Sequence, residues 1–452
     1  KLRLVPMLLL YHPSEVVVER VLDMFTEAGR TDFLPLADRI QGTATPAVHA
    51  AIVRATMSVR PDAEALRTLT NSFCRATRTT ASVYLHAMGE LSDEATTAAL
   101  DHLLDHENAR TAALAIIRSA PRTGGPLIEH YLLDFLGHTD LDTRLEVIAA
   151  VAQMKTPALL GPVLQSLAVR ELRYEARHAL LAYGSEGLRA LDQALDAPET
   201  LETLRWELPR AIAEFGGPDA LEVLQKHLAH SGGMVQYRLI RAMERLLDAD
   251  ERSMLFALRP DTRILNEAAE TTLRIVYNLL AQRLSLQQGP DEALQTAAHS
   301  YLVRLLRDKE THGIERVIRL VGLQTAGEDF AAIVRGLQSQ RPDVRSSSLE
   351  LLEHFAPVQI RHQVMALTDG GADESRLQSA GRFAPERAGS YEDVLTRLVH
   401  SRSESLCTLA IAQVGDMRLH GLRAELTALA FAPRTMRGDV LHHTLGRLAE
   451  PA

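Results

Sequence analysis

Two histidines one helical turn apart are the first residues whose spacing could do chemistry. His102-Leu-Leu-Asp-His106 puts two imidazoles at i and i+4 on one helical face, the arrangement a zinc site uses. Asp101, Asp105 and Glu107 stand close enough in sequence to complete a ligand set. Against this, Leu103 follows the first histidine, where a metalloprotease needs its glutamate base, and acidic residues are usual where a solvated helix ends. No metal is therefore expected. His442 and His443 are adjacent, about 100° apart on a helix, and are poorly placed to share one ion.

Other chemistry has less to stand on. Thr123-Gly-Gly-Pro126, Gly216-Gly-Pro218 and Gly370-Gly371 contain no GxxxxGK[ST] loop and follow no strand pattern, so they read as helix stops. No GxSxG elbow occurs, and Cys74 and Cys407 lie outside any motif that would activate a thiol or pair it locally. No catalytic residue, cofactor or enzymatic activity is expected.

Arginine remains. It supplies 45 of the 49 basic residues, with lysine only at positions 1, 155, 226 and 309. Guanidinium groups grip carboxylates and phosphates bidentately, so a regular arginine row could hold an acidic helix or a phosphorylated partner. Arg110, Arg144, Arg177, Arg205 and Arg238 form such a series, spaced by 34, 33, 28 and 33 residues. Structural Arg–Asp pairs between repeats explain the same spacing. Trp206, the single tryptophan, directly follows Arg205 and reads either as an interface anchor or as a packing residue. Pro209 falls within the helical pattern beside it, where a kink or a restart is expected.

The elements that must position these residues are helices. From Ser14 to about Gly233 apolar residues recur at i, i+3, i+4 and i+7 in blocks of 10 to 16, each closed by Gly, Pro, Asp, Ser or Thr. Val16, Val17, Val21, Leu22 and Phe25 give a first buried stripe, and Phe33, Leu34, Leu36 and Ile40 a second. The arginine interval of about 30 to 45 residues is what stacked helical hairpins require, since each hairpin has an apolar face that only its neighbours can cover. With 452 residues, 46% hydrophobic and 24% charged, there is ample material for one extended array. The net charge of −9 and 4% aromatic content argue against nucleic acid as a partner. The longest early apolar run, Leu4 to Tyr11, is far short of the roughly 20 residues a membrane helix needs, and Lys1 rather than Met suggests a piece of a longer chain.

The Asp/Asn-x-Arg form at Asn108, Asp142 and Asp343, with small and aliphatic residues following, resembles HEAT repeats. The resemblance implies an all-α, right-handed α-solenoid, HEAT or armadillo-like, whose second helices line a concave face and whose arginines pair with acidic or amide residues of the adjacent turn. Tyr174-Glu175 and Gln236 depart from the pattern and interrupt the ladder. Several segments resemble one group more specifically: bacterial ATP:ADP antiporter-like, major-facilitator-type membrane proteins that carry HEAT repeats and in some cases a cyclic-nucleotide-binding domain. They are 16–25 with 29–37, 204–211 with 216–220, 314–323 with 331–337, and 343–352.

The expected organisation is an N-terminal repeat array over 1–257, an irregular insert of longer helices over 258–325, a repeat over 326–368, a loop or broken helix over 369–390, and C-terminal repeats over 391–452. The expected function is a non-catalytic scaffold that binds a protein partner or an adjacent domain, with Arg110, Arg144, Arg177, Arg205, Trp206 and Arg238 as contacts. The resemblance adds a cytoplasmic location with an inner-membrane tether elsewhere in the polypeptide. Regulation of a nucleotide transporter and binding to nucleic acid stand as alternatives.

Overall fold

The computed structural model describes residues 4–105, 109–137, 140–253, 255–325, 330–385, 389–429, 431 and 435–449, and among these the fold is all-α, with no strand. It divides into two compact units, Lys1–Phe215 and Gly216–Ala452. Among the described residues no helix is long and apolar enough to cross a membrane.

Unit 1 is built of two rows of helices. One row holds α1 (Glu15–Glu27), α3 (Pro46–Val59), α5 (Arg75–Ala87), α7 (Ala109–Thr123), α9 (Leu141–Met154) and α11 (Arg173–Ala182), each packed on the next. The other holds α2 (Leu34–Ile40), α4 (Ala63–Leu69), α6 (Asp93–Leu104), α8 (Pro126–Leu136), α10 (Pro157–Gln165) and α12 (Ser185–Asp196). Members α4 to α10 of this second row pack on the first-row helices beside them. Local chemistry sets the starts. Asp62, Ser92 and Asp140 cap α4, α6 and α9 by accepting from backbone N–H groups three residues on, and Pro46, Pro126 and Pro157 open α3, α8 and α10, where no N–H is needed.

The first stripe is displaced from its expected position. α1 buries Val18, Val21, Leu22 and Phe25, while Val16 is 75% exposed. At 100° per residue Val16 lies opposite the face that those four share. Phe25 stacks on Phe33 with ring centroids 5.6 Å apart. α3 and α5 are enclosed on nearly every side: residues 50–57 of α3 and 79–85 of α5 are all buried, and most are small (Ala, Thr, Ser), so the neighbouring helices approach closely. After α12 the chain makes the single turn α13 (Glu202–Arg205), breaks at Trp206-Glu207 and restarts as α14 (Leu208–Phe215) with Pro209 in its first turn.

Unit 2 begins with α15 (Gly217–Leu228) and α16 (Gly233–Ser253). Its centre is a pair of 26-residue helices, α17 (Thr262–Gln287) and α19 (Ala297–Gly322), linked through the short α18 (Asp291–Leu294) and packed along their length. Gly313 makes that packing possible, because a Cβ there would sit 2.5 Å from Val276 Cγ2. Then follow α20 (Phe330–Leu337), α21 (Pro342–Phe355), α22 (Arg361–Thr368) and α23 (Asp373–Gln378). The chain closes with α24 (Tyr391–Val399), α25 (Glu404–Asp416), α26 (Arg423–Thr427) and α27 (Met436–Arg447). The segment 369–390 holds α23 and a 3-10 turn, Gly381–Phe383, whose Phe383 is buried; residues 386–388 are outside the described set.

Candidate functional site

The arginine series begins on three consecutive helices of one row. Arg110 and Arg144 lie near the N-terminal ends of α7 and α9, and Arg177 lies midway along α11. Arg110 Nη2 donates to Asp142 Oδ2 at 2.9 Å, and its Nε is 3.6 Å from Asp140 Oδ2. Both aspartates open α9, where carboxylates are favoured by the positive helix end, and Asp140 also caps the helix. The Asp-x-Arg spacing thus has a local cause: the acid suits its own helix, and the arginine of the preceding first-row helix reaches across to it. Hydrogen bonding to Asp142, then the field of Asp140, holds the Arg110 guanidinium above its ordinary range.

The other members behave differently. Arg177 is 6% exposed, with Nε 2.7 Å from Glu214 Oε1 of α14, an ion pair too skewed to be a hydrogen bond. Arg144 and Arg238 are half-buried and pair with no carboxylate among the described residues. Arg205 donates to the Ala197 carbonyl at 2.5 Å, which ties α13 back to the end of α12. Trp206 is half-buried in the break before α14, and its indole N–H is buried without a hydrogen-bond partner among the described residues. Arg110, Arg144 and Arg177 are therefore brought together on one row, while Arg205, Trp206 and Arg238 lie on other elements.

The opposite edge of the same row carries a cleft of about 610 Å³. Thr26 and Glu27 of α1, Met57 and Ser58 of α3, Tyr84 and Ala87 of α5, Pro121 to Thr123 of α7 and Gln153 of α9 line it, so the C-terminal turns of five helices converge there. Helix C-termini carry partial negative charge, and Arg122 in the last turn of α7 sits among them. Its Nη2 donates to Thr26 Oγ1 at 2.6 Å and its Nη1 lies 3.4 Å from Asp23 Oδ1. Deeper along α7, Arg118 bridges Glu19 of α1 at 2.7 Å and Glu146 of α9 at 3.2 Å. The bonds to Glu19, Asp23 and Thr26 join residues almost a hundred positions apart and close α1 onto α7 across α3.

Arg54 of α3 lies under that bridge at 3% exposure. Its Nε has no partner among the described residues; burial lowers its affinity for the proton, opposed by Asp23 and Glu19. Burial likewise raises the Glu19 carboxyl above the ordinary range despite Arg118 and Arg54, and raises the Tyr84 phenol. The Tyr84 and Ser58 hydroxyls are 3.0 Å apart, and both donate to the Arg54 carbonyl. Sequence reading did not single out this cluster. One signal was available: Arg54 is the only charge in the run Ala50 to Met57, which sits in a helix buried all round.

The histidine motif is only half visible, since His106 and Glu107, like Asn108, lie outside the described residues. Asp101 is engaged in any case, accepting from the Tyr131 hydroxyl at 2.7 Å; burial first and Asp101 second push that phenol well above its usual range. His442 and His443 are both exposed on α27. Cys407 is buried and donates its thiol to the Val399 carbonyl at 3.0 Å, with burial raising its pKa, while Cys74 is half-buried. No protein-family model matches the chain, and no curated protein matches it.

Proposed function

We propose that the chain is a non-catalytic helical-repeat scaffold, a right-handed solenoid of HEAT type over most of its length, that presents a row of helices to a protein partner. The observation that carries this reading is the placement of Arg110, Arg144 and Arg177 on three successive helices of one row, with Arg110 tied to the start of the next helix. Arg110, exposed, and Arg144, half-buried, offer guanidinium groups on adjacent helices of that row, and a partner presenting acidic or phosphorylated side chains at a matching interval would be gripped by them, while Arg177 is buried against Glu214. An interface of about 800 Å² per side would occupy only part of it. The same proposal, through its resemblance to antiporter-like membrane proteins, makes the chain the cytoplasmic, non-spanning part of a larger membrane-associated polypeptide.

The test is capture followed by measurement. Partners retained by the wild-type chain are identified by mass spectrometry and purified, and their affinity is compared with that for a chain carrying Arg110→Glu and Arg144→Glu. At least a tenfold loss of affinity is expected from a chain that is still cooperatively folded, its unfolding midpoint lowered only slightly by the loss of the Arg110–Asp142 pair; equal affinity removes these residues from the interface. The tether is tested separately by reading the frame upstream of Lys1, which should encode several apolar stretches of about 20 residues.

A further inference from the structure

Among the buried arginines of unit 2, one lacks the counter-ion the others have. Arg283 of α17 is held by Glu310 at 2.7 and 3.0 Å and by Asp373 at 2.8 Å. Arg319 of α19 is held by Glu315 at 2.8 Å and by Glu244 at 3.0 Å, over the Tyr237 ring. Arg316, three residues before it on α19, is 7% exposed and pairs with no carboxylate among the described residues. Its neighbour Glu315 is already committed to Arg319. Among the described residues its Nε is buried without a partner, and its one hydrogen bond runs from Nη1 to the Gly233 carbonyl at the long distance of 3.4 Å. A guanidinium stays charged even when desolvated, and a buried charge without an opposite partner is costly to keep.

The element it reaches is also unfinished. Gly233 opens the 21-residue helix α16 with φ 57°, and Gly232 before it brings no side chain to cap the free N–H groups. The first turn contains no acidic residue, and Gly232, Gly233 and Met234 are all exposed. Free N–H groups at the start of a long helix, with a positive helix end and a guanidinium fork alongside, are the donors that a tetrahedral oxyanion accepts from. Asp or Ser at the cap would have occupied those donors.

We infer that Arg316 and the N-terminal turn of α16 form a binding site for a phosphate group, either free or carried by a small phosphate ester. The anion supplies the missing counter-ion of Arg316 and the missing cap of α16 at once. The site is independent of the arginine row of unit 1, so neither proposal depends on the other.

Isothermal titration of the intact chain with inorganic phosphate, at constant ionic strength set with chloride, tests it. Saturable binding is expected in the wild type, weakened about tenfold or more by Arg316→Met, because a hydrogen bond to a charged group is worth about 1.5 to 3 kcal/mol. Gly232→Asp should abolish it by filling the cap with a carboxylate; an ideal Cβ at Gly232 meets nothing within 4 Å, so this variant is expected to fold. Methyl phosphate should compete and acetate should not. No saturable phosphate binding in the wild type overturns the site, as does undiminished binding in either variant or equal competition by acetate. If Arg316→Met does not fold, Gly232→Asp decides alone.

Discussion

Arg283 of unit 2 and Arg54 of unit 1 are buried in opposite ways. In unit 2, Arg283 at 1% exposure is clamped by a bidentate carboxylate on the adjacent long helix and by a second from α23, with Gln287 on its own helix completing the set. In unit 1, Arg54 is as deeply buried but has no carboxylate in hydrogen-bond contact among the described residues; its compensation comes from Glu19 and Asp23, which are themselves taken by Arg118 and Arg122. Two 26-residue helices can hold a charge and its partner face to face in a dry seam. In unit 1 the charges that compensate Arg54 come from α1, which Arg118 and Arg122 of α7 also grip. The lesson is that the unit 2 pair is all-or-none, whereas the unit 1 cluster shares its charges and tolerates losing one.

Removing a partner should separate the two most sharply. Glu310→Leu strands Arg283 with only Asp373, and a buried charge left without its main partner costs about 3 to 5 kcal/mol. Urea unfolding should report a loss near the lower end, with Asp373 retained; the double change Arg283→Met, Glu310→Leu should recover most of it, since a buried pair is often replaceable by apolar residues of similar volume. A loss below about 1 kcal/mol for the single change would erase the contrast. The companion change in unit 1, Arg54→Met, is expected to cost less than about 1.5 kcal/mol, because it removes a charge that no carboxylate holds directly.

Between these falls the seam itself. Gly313→Ala places a methyl where Val276 Cγ2 stands 2.5 Å away, and overpacking a filled core costs about 1 to 3 kcal/mol. Val276→Ala in the same chain should restore the loss by making room. A glycine kept only for backbone freedom would not respond to that second change.

Much of this architecture was legible in the sequence, and the reasons are local. Helix starts were readable because Asp62, Ser92 and Asp140 are caps and Pro46, Pro126 and Pro157 are first-turn prolines. The break at Trp206 followed from Pro209. The arginine interval was readable because Asp142 serves its own helix as well as Arg110. What was not legible depends on which helices meet. Nothing near Glu19 or Asp23 names Arg118 or Arg122, about a hundred residues on, and nothing near Arg316 names Gly233. The expected stripe took Val16 and Val17 from the run of three valines and left out Val18, the one that is buried with Val21, Leu22 and Phe25.

The pH dependence of unit 1 offers a finer test. Burial raises the Glu19 carboxyl in the fold, so the folded chain binds this proton more tightly than the unfolded one. The resulting stabilisation is fully present below the ordinary carboxylate pKa and is lost as pH rises through the higher folded value. Glu19→Gln, which keeps an acceptor for Arg118, should therefore gain on the wild type as pH rises from about 4 to 7. The gain should appear in denaturation curves of the intact chain, and in hydrogen exchange of α1 and α7. An unchanged difference across that range would mean that Arg118 fully offsets the burial of Glu19.

The smallest effect is expected at the Arg110 rung, and its smallness is informative. Arg110 and Asp142 are both more than half exposed, with side-chain exposures of 55% and 69%. Exposed pairs of this kind contribute about 0.2 to 1 kcal/mol and are screened by salt. Arg110→Ala should therefore lower stability only slightly, and the deficit should shrink in high salt. Asp140→Ala should cost more, about 1 kcal/mol, because it also removes the cap of α9 at Thr143. If the order were reversed, the rung would be part of what holds α7 on α9, and an arginine occupied in that way would have little left to offer a partner. With the order as expected, the aspartates serve the helix and the guanidinium stays available.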